Sequence, residues 1–367
     1  MTAQSAPSDQ PKPNSQPAAR RRKLPAALAA HPSVQAVLAD PPAPAPPVID
    51  ATWLRELCLA AGADDAAAVS LDHPDLAGER EHVLAALPGT RSLVSLVVRM
   101  NRDDVRTPAR SVANQEFHRT GEILNEIAHT VVRRLQDDGH RAINPSATFP
   151  MEMDRFPGRI WVVAHKTVAV AAGMGAMGIH RNVIHPKFGN FILLATLLVD
   201  AEVSEHGSAL DYNPCLECKL CVAACPVGAI GKAGEFDFQA CSTHNYREFM
   251  GGFADWVETV ADSTDRADFR SRVTEPENAS MWQSLSFKPN YKAAYCMAVC
   301  PAGEDVLGPY LEDRSGFLRD VLRPLQDKVE TVYVGTGSAA RGYAERRFPH
   351  KNVKEVGTGL RAPRRLP

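Results

Sequence analysis

Hydrophobic positions fall into two alternating kinds of run between Ile49 and Asp200. Residues 52–61 repeat at helical spacing, and Asp50 or Thr52 is placed to cap the first turn. Residues 66–71 and 92–98 read as buried strands, with a helix over 78–87 between them. The longest helical pattern covers 108–138. Ile123, Ile127, Val131 and Leu135 share one face, and Gly139 supplies the stop. A short strand follows at 141–143, and 191–199 is continuously apolar, as a buried strand would be. This alternation predicts a layered α/β or α+β domain over residues 48–204.

The flanks differ. Residues 1–47 are rich in Pro, Ala, Ser and Gln and read as disordered, with 41–47 as a stiff extended linker. Arg20, Arg21 and Arg22 invite a twin-arginine export reading, but the apolar segment after them is short and holds Pro25. An ordinary basic patch on a cytoplasmic protein is the favoured reading. Toward the other end, 313–325 reads as a helix, 331–334 as a strand and 335–337 as a turn. Residues 311–367 form a C-terminal extension whose last part, 341–367, reads as a basic solvated tail.

Length allows two or three domains in 367 residues. With 41 basic and 43 acidic side chains there is no bulk electrostatic case for nucleic acid, which leaves only the basic tail as a contact for it. No apolar run approaches the ~20 residues that span a bilayer. Seven of the eight cysteines lie between Cys215 and Cys300, and Cys58 stands apart. Such clustering points to metal rather than to a disulfide framework.

The spacing names the metal chemistry. Cys215, Cys218, Cys221 and Cys225-Pro226 form C-x2-C-x2-C-x3-C-P, and Cys296 and Cys300-Pro301 form a second, shorter motif. Zinc ribbons use separated C-x2-C pairs instead. In the bacterial ferredoxin pattern the fourth cysteine of a run serves the other cluster. Cluster one therefore takes Cys215, Cys218, Cys221 and Cys300. Cluster two takes Cys225, Cys241 and Cys296 and is one cysteine short. His244, a carboxylate or no residue fills the fourth place, the last giving a three-iron cluster. Cys225 is expected to open a helix. Residues 205–310 form this ferredoxin-like domain, with helices expected over 246–260 and 281–286.

One further stretch carries a candidate site. Gly173, Gly175 and Gly178 match G-x-G-x-x-G, but an Ala/Val helical run precedes them and a loop follows, which opposes a dinucleotide site. Glycines there serve tight packing or close approach to a ligand. A large planar ligand would also find polar partners in His180 and Asn182. His165, His185 and Lys187 lie close by, and Tyr212 and Tyr246 are candidate proton donors.

The segment from Ala171 to Phe191, followed by the Cys215–Pro226 run, the lone Cys241 and the final Cys-x3-Cys-Pro, resembles the epoxyqueuosine reductase and reductive dehalogenase group of iron–sulfur oxidoreductases. The resemblance covers roughly residues 90–305. It implies an α/β domain that binds cobalamin, with two clusters feeding electrons to it, and a ferredoxin- or flavodoxin-class donor. Arg159 stands at the distance where epoxyqueuosine reductases carry an active-site acid, with Asp154 nearby, and Ala293 stands where a further cluster cysteine would be. The function implied is reductive cleavage. The alternative is a ferredoxin-type electron carrier that serves a partner enzyme. No catalytic residue is assigned.

Overall fold

The protein is described from a computed structural model, which covers residues 24–152, 161–292 and 294–357. Arg20 to Arg22, Asp154, Arg159 and Ala293 lie outside these residues, as does the end of the basic tail. Residues up to Pro44 form a separate unit. Its helices, Ala26–Ala29 and Pro32–Ala39, bury no residue, and the His31 ring caps the second by accepting from the Ser33 N–H. Residues 24–39 are thus helical where a disordered stretch is expected.

A four-stranded sheet organises the α/β region, in the order Asp65–Ser70, Ser92–Arg99, Ile192–Val199, Ala142–Ile143. Every pairing in it is antiparallel. The two central strands are apolar on both faces because both faces are covered. Val94, Leu96 and Val98 join a core with Leu124, Ile127, Val131 and Leu135 of the helix Arg110–Asp137. Leu93 and Val97 turn the other way, onto Val168, Ala169 and Ala171 of the helix His165–Ala171. That alternation is the period of a strand read against two layers of helix. The long helix ends as expected, with Gly139 at positive φ and the His140 N–H returning to the Leu135 carbonyl.

The cluster region and the C-terminal extension share one core. Leu220, Ala224, Val227, Tyr295 and Val299 pack with Phe317, Leu325, Val332, Val334 and Ala344. The strand Thr331–Gly335 pairs in parallel with Asn352–Val356, across the helix Ala339–Arg347. The expected solvated tail is therefore folded through 357. Its Lys351 has a side chain only 1% exposed, whose ammonium donates to Glu330 Oε1 at 2.8 Å and to the Leu325 and Lys328 carbonyls. Between Cys241 and Cys296 lie the helices Gly251–Asp262, Arg266–Arg272 and Glu275–Ser286. Among the described residues no helix is long and apolar enough to cross a membrane.

Candidate iron–sulfur centre

The first cysteine run wraps a loop before it forms a helix. Glu217 and Lys219 take positive φ, turning the backbone around the space between the thiols. The helix Leu220–Ala224 follows and Cys225 ends it. Cys225 therefore closes a helix rather than opening one, and Pro226 blocks its continuation. The second motif repeats the plan, with the helix Tyr295–Ala298 carrying Cys296 and leading to Cys300-Pro301.

Cys215, Cys218, Cys221 and Cys300 line one cavity of about 370 Å³, mouth included, together with Ile179, His180 and Ile184. Cys300, from the distant motif, is thus brought beside the first cysteine run. Among the described residues no three His, Cys, Asp or Glu side chains close on a single point as a mononuclear ion requires. Four thiols lining one pocket are a donor set that a ferredoxin-type cluster would use. Electrostatics agree with shared occupancy. Burial first, then neighbouring thiols, push Cys300 up to about 12 and Cys221 higher still. Thiols this crowded resist ionising together, and a bound cation would offset that cost. The Ile179 N–H donates to Cys215 Sγ at 3.4 Å.

The remaining three cysteines influence one another. Burial pushes Cys241 up to about 12 and Cys296 up to about 11, with Cys296 and Cys225 adding to the first and Cys225 to the second. Cys225 is raised by burial, against which backbone N–H groups work; that of Ala229 lies 3.2 Å from its sulfur. Lys166 brings positive charge to this group. Its Nζ donates to the Arg181 carbonyl at 2.7 Å and to Asn182 Oδ1 at 2.9 Å. Burial pushes the ammonium down, and Cys296 and Cys241 pull it back. His244 is fully buried, accepts from the Tyr333 N–H at 3.3 Å, and stacks on the Tyr333 ring. Burial pushes it down to about 4, and the charges acting on it are Glu330, Lys292, Lys351 and Lys328. No described contact joins His244 to the three cysteines.

The glycine run does not offer the open surface expected of it. A Cβ on Gly173 would lie 2.5 Å from the Ser208 carbonyl oxygen, and one on Gly175 2.6 Å from that of Ile184. A Cβ on Gly178 would lie 2.9 Å from His180 Cε1. The chain itself fills the space beside each glycine, so the missing side chains serve packing, and an approach surface for a corrin is not formed at these positions. His180 turns toward the cysteine cavity. Asn182 orients its neighbours, its N–H donating to His180 Nδ1 at 3.2 Å and its carbonyl oxygen accepting from Lys166. His165 bridges Thr196 Oγ1 and the Ser146 carbonyl, and His185 bonds Asp65 at 3.1 Å while stacking on Phe188. Both are structural. Tyr212 is exposed, and Tyr246 is half-buried beside Phe249, close enough to Cys241 for that thiol to act on it.

Three arginines missed by the motif reading tie the α/β region to the second cysteine motif and the residues after it. Arg102 donates to the Asp305 carbonyl at 2.7 Å and Arg106 to that of Ala298 at 3.3 Å. The Arg106 guanidinium also lies over the Phe191 and Phe317 rings, and Arg110 lies over Tyr295. Their four-residue spacing is the sequence signal that would have found them. The segment 186–190 completes the join. The Glu304 and Asp305 N–H groups donate to the Pro186 and Lys187 carbonyls, each at 2.9 Å, and the Asn190 amide donates to Met297. Gly189 and Gly303 meet so closely that a Cβ on either would overlap the opposing backbone.

No family model matches the chain. Curated epoxyqueuosine reductases do match it. That of Cellulophaga algicola is 31% identical over 118 residues, 29% of this chain and 38% of that protein. That of Synechococcus sp. (strain RCC307) is 26% identical over 167 residues, 44% of this chain and 48% of that protein. The matched part spans less than half the length of these relatives. Among solved structures, epoxyqueuosine reductase from Streptococcus thermophilus aligns with a TM-score of 0.41 at 14% identity, covering 74% of each chain. A reductive dehalogenase described with B12-dependent dehalogenation aligns with a TM-score of 0.43 at 14% identity, covering 74% of this chain and 35% of that one.

Proposed function

We propose that this protein is an iron–sulfur oxidoreductase of epoxyqueuosine reductase-like type. Two clusters pass electrons to a substrate or cofactor on the α/β domain, for reductive cleavage of a bond. The observation that carries the reading is the cavity in which Cys300 joins Cys215, Cys218 and Cys221 across a sequence gap of about eighty residues. Cys225, Cys241 and Cys296 hold the second cluster. When bound, the clusters supply single-electron transfer. The chain's own residues shape the path: Lys166 sets positive charge beside the second group, and Arg102, Arg106 and Arg110 hold the α/β domain against the cluster motifs. Because the glycine run is filled by packing, no step of this reading passes through a corrinoid at Gly173, Gly175 or Gly178.

The test is anaerobic reconstitution followed by iron and sulfide analysis, visible absorption and electron paramagnetic resonance. About seven or eight irons per chain are expected, as two ferredoxin-type clusters require. Cys300→Ser should lose the same cluster as Cys218→Ser. Stoichiometric zinc without iron–sulfur absorption overturns the reading. Titration with cobalamin separates the enzyme from a pure carrier. Protein that holds both clusters but binds neither cobalamin nor any reducible small molecule is a ferredoxin-type electron-transfer protein.

A further inference from the structure

His180 is the polar residue in the cysteine cavity with an unexplained atom. The residue is 4% exposed, and its Nε2 is buried without a hydrogen-bond partner among the described residues. A buried N–H with no acceptor is costly, so its persistence asks for an explanation. The other ring nitrogen fixes the tautomer. Nδ1 accepts from the Asn182 N–H at 3.2 Å, so in the neutral ring the proton resides on Nε2. The ring's orientation is fixed as well. Its Cε1 and Nδ1 edge faces Gly178, where a Cβ would lie 2.9 Å from Cε1 and 3.3 Å from Nδ1. His180 lines the cavity with Cys215, Cys218, Cys221 and Cys300, and sulfur there is the acceptor that an unsatisfied Nε2–H would find.

We infer that the His180 Nε2–H donates a hydrogen bond to a sulfur of cluster one. The inference rests on the iron–sulfur reading above and adds a residue to it. An N–H aimed at cluster sulfur stabilises the reduced, more negative state and raises the reduction potential. His180 is thus a positioning and tuning residue of the cluster, not a ligand and not a contact for a planar cofactor. The β-hairpin that carries it, Ala176–Met177 paired with Val183–Ile184, belongs to the α/β region, so the hydrogen bond also ties that region to the cluster electronically.

The experiment is a potentiometric titration of reconstituted full-length protein, read by electron paramagnetic resonance, with iron content measured on each sample. His180→Phe removes the donor but keeps a flat ring and should shift the cluster-one potential to lower values at unchanged iron content. His180→Gln, which keeps an N–H, should recover part of the shift. Pulsed resonance on protein carrying 15N-histidine should detect nitrogen coupling to cluster one in wild type and lose it in His180→Phe. Equal cluster-one potentials in wild type and His180→Phe, with both clusters loaded, overturn the inference. Absence of that nitrogen coupling in loaded wild type does so too, and covers the case in which a variant fails to fold. Failure of wild type to form any cluster would instead overturn the underlying iron–sulfur reading.

Discussion

Replacing Lys351 by Met tests whether the C-terminal strand is held by charge. The Lys351 side chain is 1% exposed, and its ammonium meets Glu330 at 2.8 Å and the Lys328 carbonyl at 2.6 Å. Removing one member of a buried pair costs about 3–5 kcal/mol, because the other charge is stranded. Glu330 keeps the Tyr295 hydroxyl at 2.5 Å and the Lys328 ammonium at 3.7 Å, which places the expected loss near the lower figure. About 3 kcal/mol is roughly a hundredfold in an equilibrium constant. Unfolding of a cluster-bearing protein is not two-state, so the readout should be local. Native-state hydrogen exchange of the Asn352–Val356 amides, which lie against Thr331–Gly335, serves this purpose. Exchange in Lys351→Met should quicken about a hundredfold, and adding Glu330→Gln should recover much of it by removing the stranded charge. Exchange within twofold of wild type, or a double variant as weak as the single one, would refute the argument.

Three other outcomes follow from the same geometry. Cys58 is fully buried, and burial pushes its thiol up to about 12 against the pull of Arg55, so maleimide at pH 8 should leave it unmodified until the protein unfolds. Burial raises the Asp65 carboxyl, but His185 and Arg55 outweigh it and hold the group below 3.8; its stabilising effect is full above that value and is lost as pH falls through the lower folded value. Acid unfolding curves should therefore show a smaller loss below about pH 4 in Asp65→Asn than in wild type, and identical slopes would count against the pairing. The group with only three cysteines should be the labile one, giving a three-iron resonance signal on air exposure that Cys241→Ser abolishes, whereas the cluster sharing Cys300 should survive the same treatment.

Much of this was legible because burial writes itself into periodicity. The helix Arg110–Asp137 and the strand Ser92–Arg99 lie within two residues of their expected bounds. Their apolar positions reflect faces that are covered. Strand order was not legible, since an apolar run records that a strand is buried but not which neighbour buries it. That Cys300 lies beside the first cysteine run agrees with the spacing; the position of the His180 ring could not be read from it. It depends on a ring folded back over Gly178, a contact between residues two apart that no spacing rule encodes. Lys351 misled for the opposite reason. A lysine near a run of basic residues reads as solvated, and only the return of the chain beside Glu330 turns it into a buried partner.

The close meeting of Gly189 with Gly303 has a bearing on how such a chain can change. A side chain at 189 would strike the Ala302 carbonyl and one at 303 the Gly189 backbone, so the loop of one half and the cysteine motif of the other constrain one another. A recombinant built by cutting near residue 205 and joining halves from two relatives would inherit two surfaces shaped for different partners. The viable exchange unit is the loop 186–190 carried along with 297–305, although more than a hundred residues separate them. Divergence in this protein should accordingly run in paired steps across that seam.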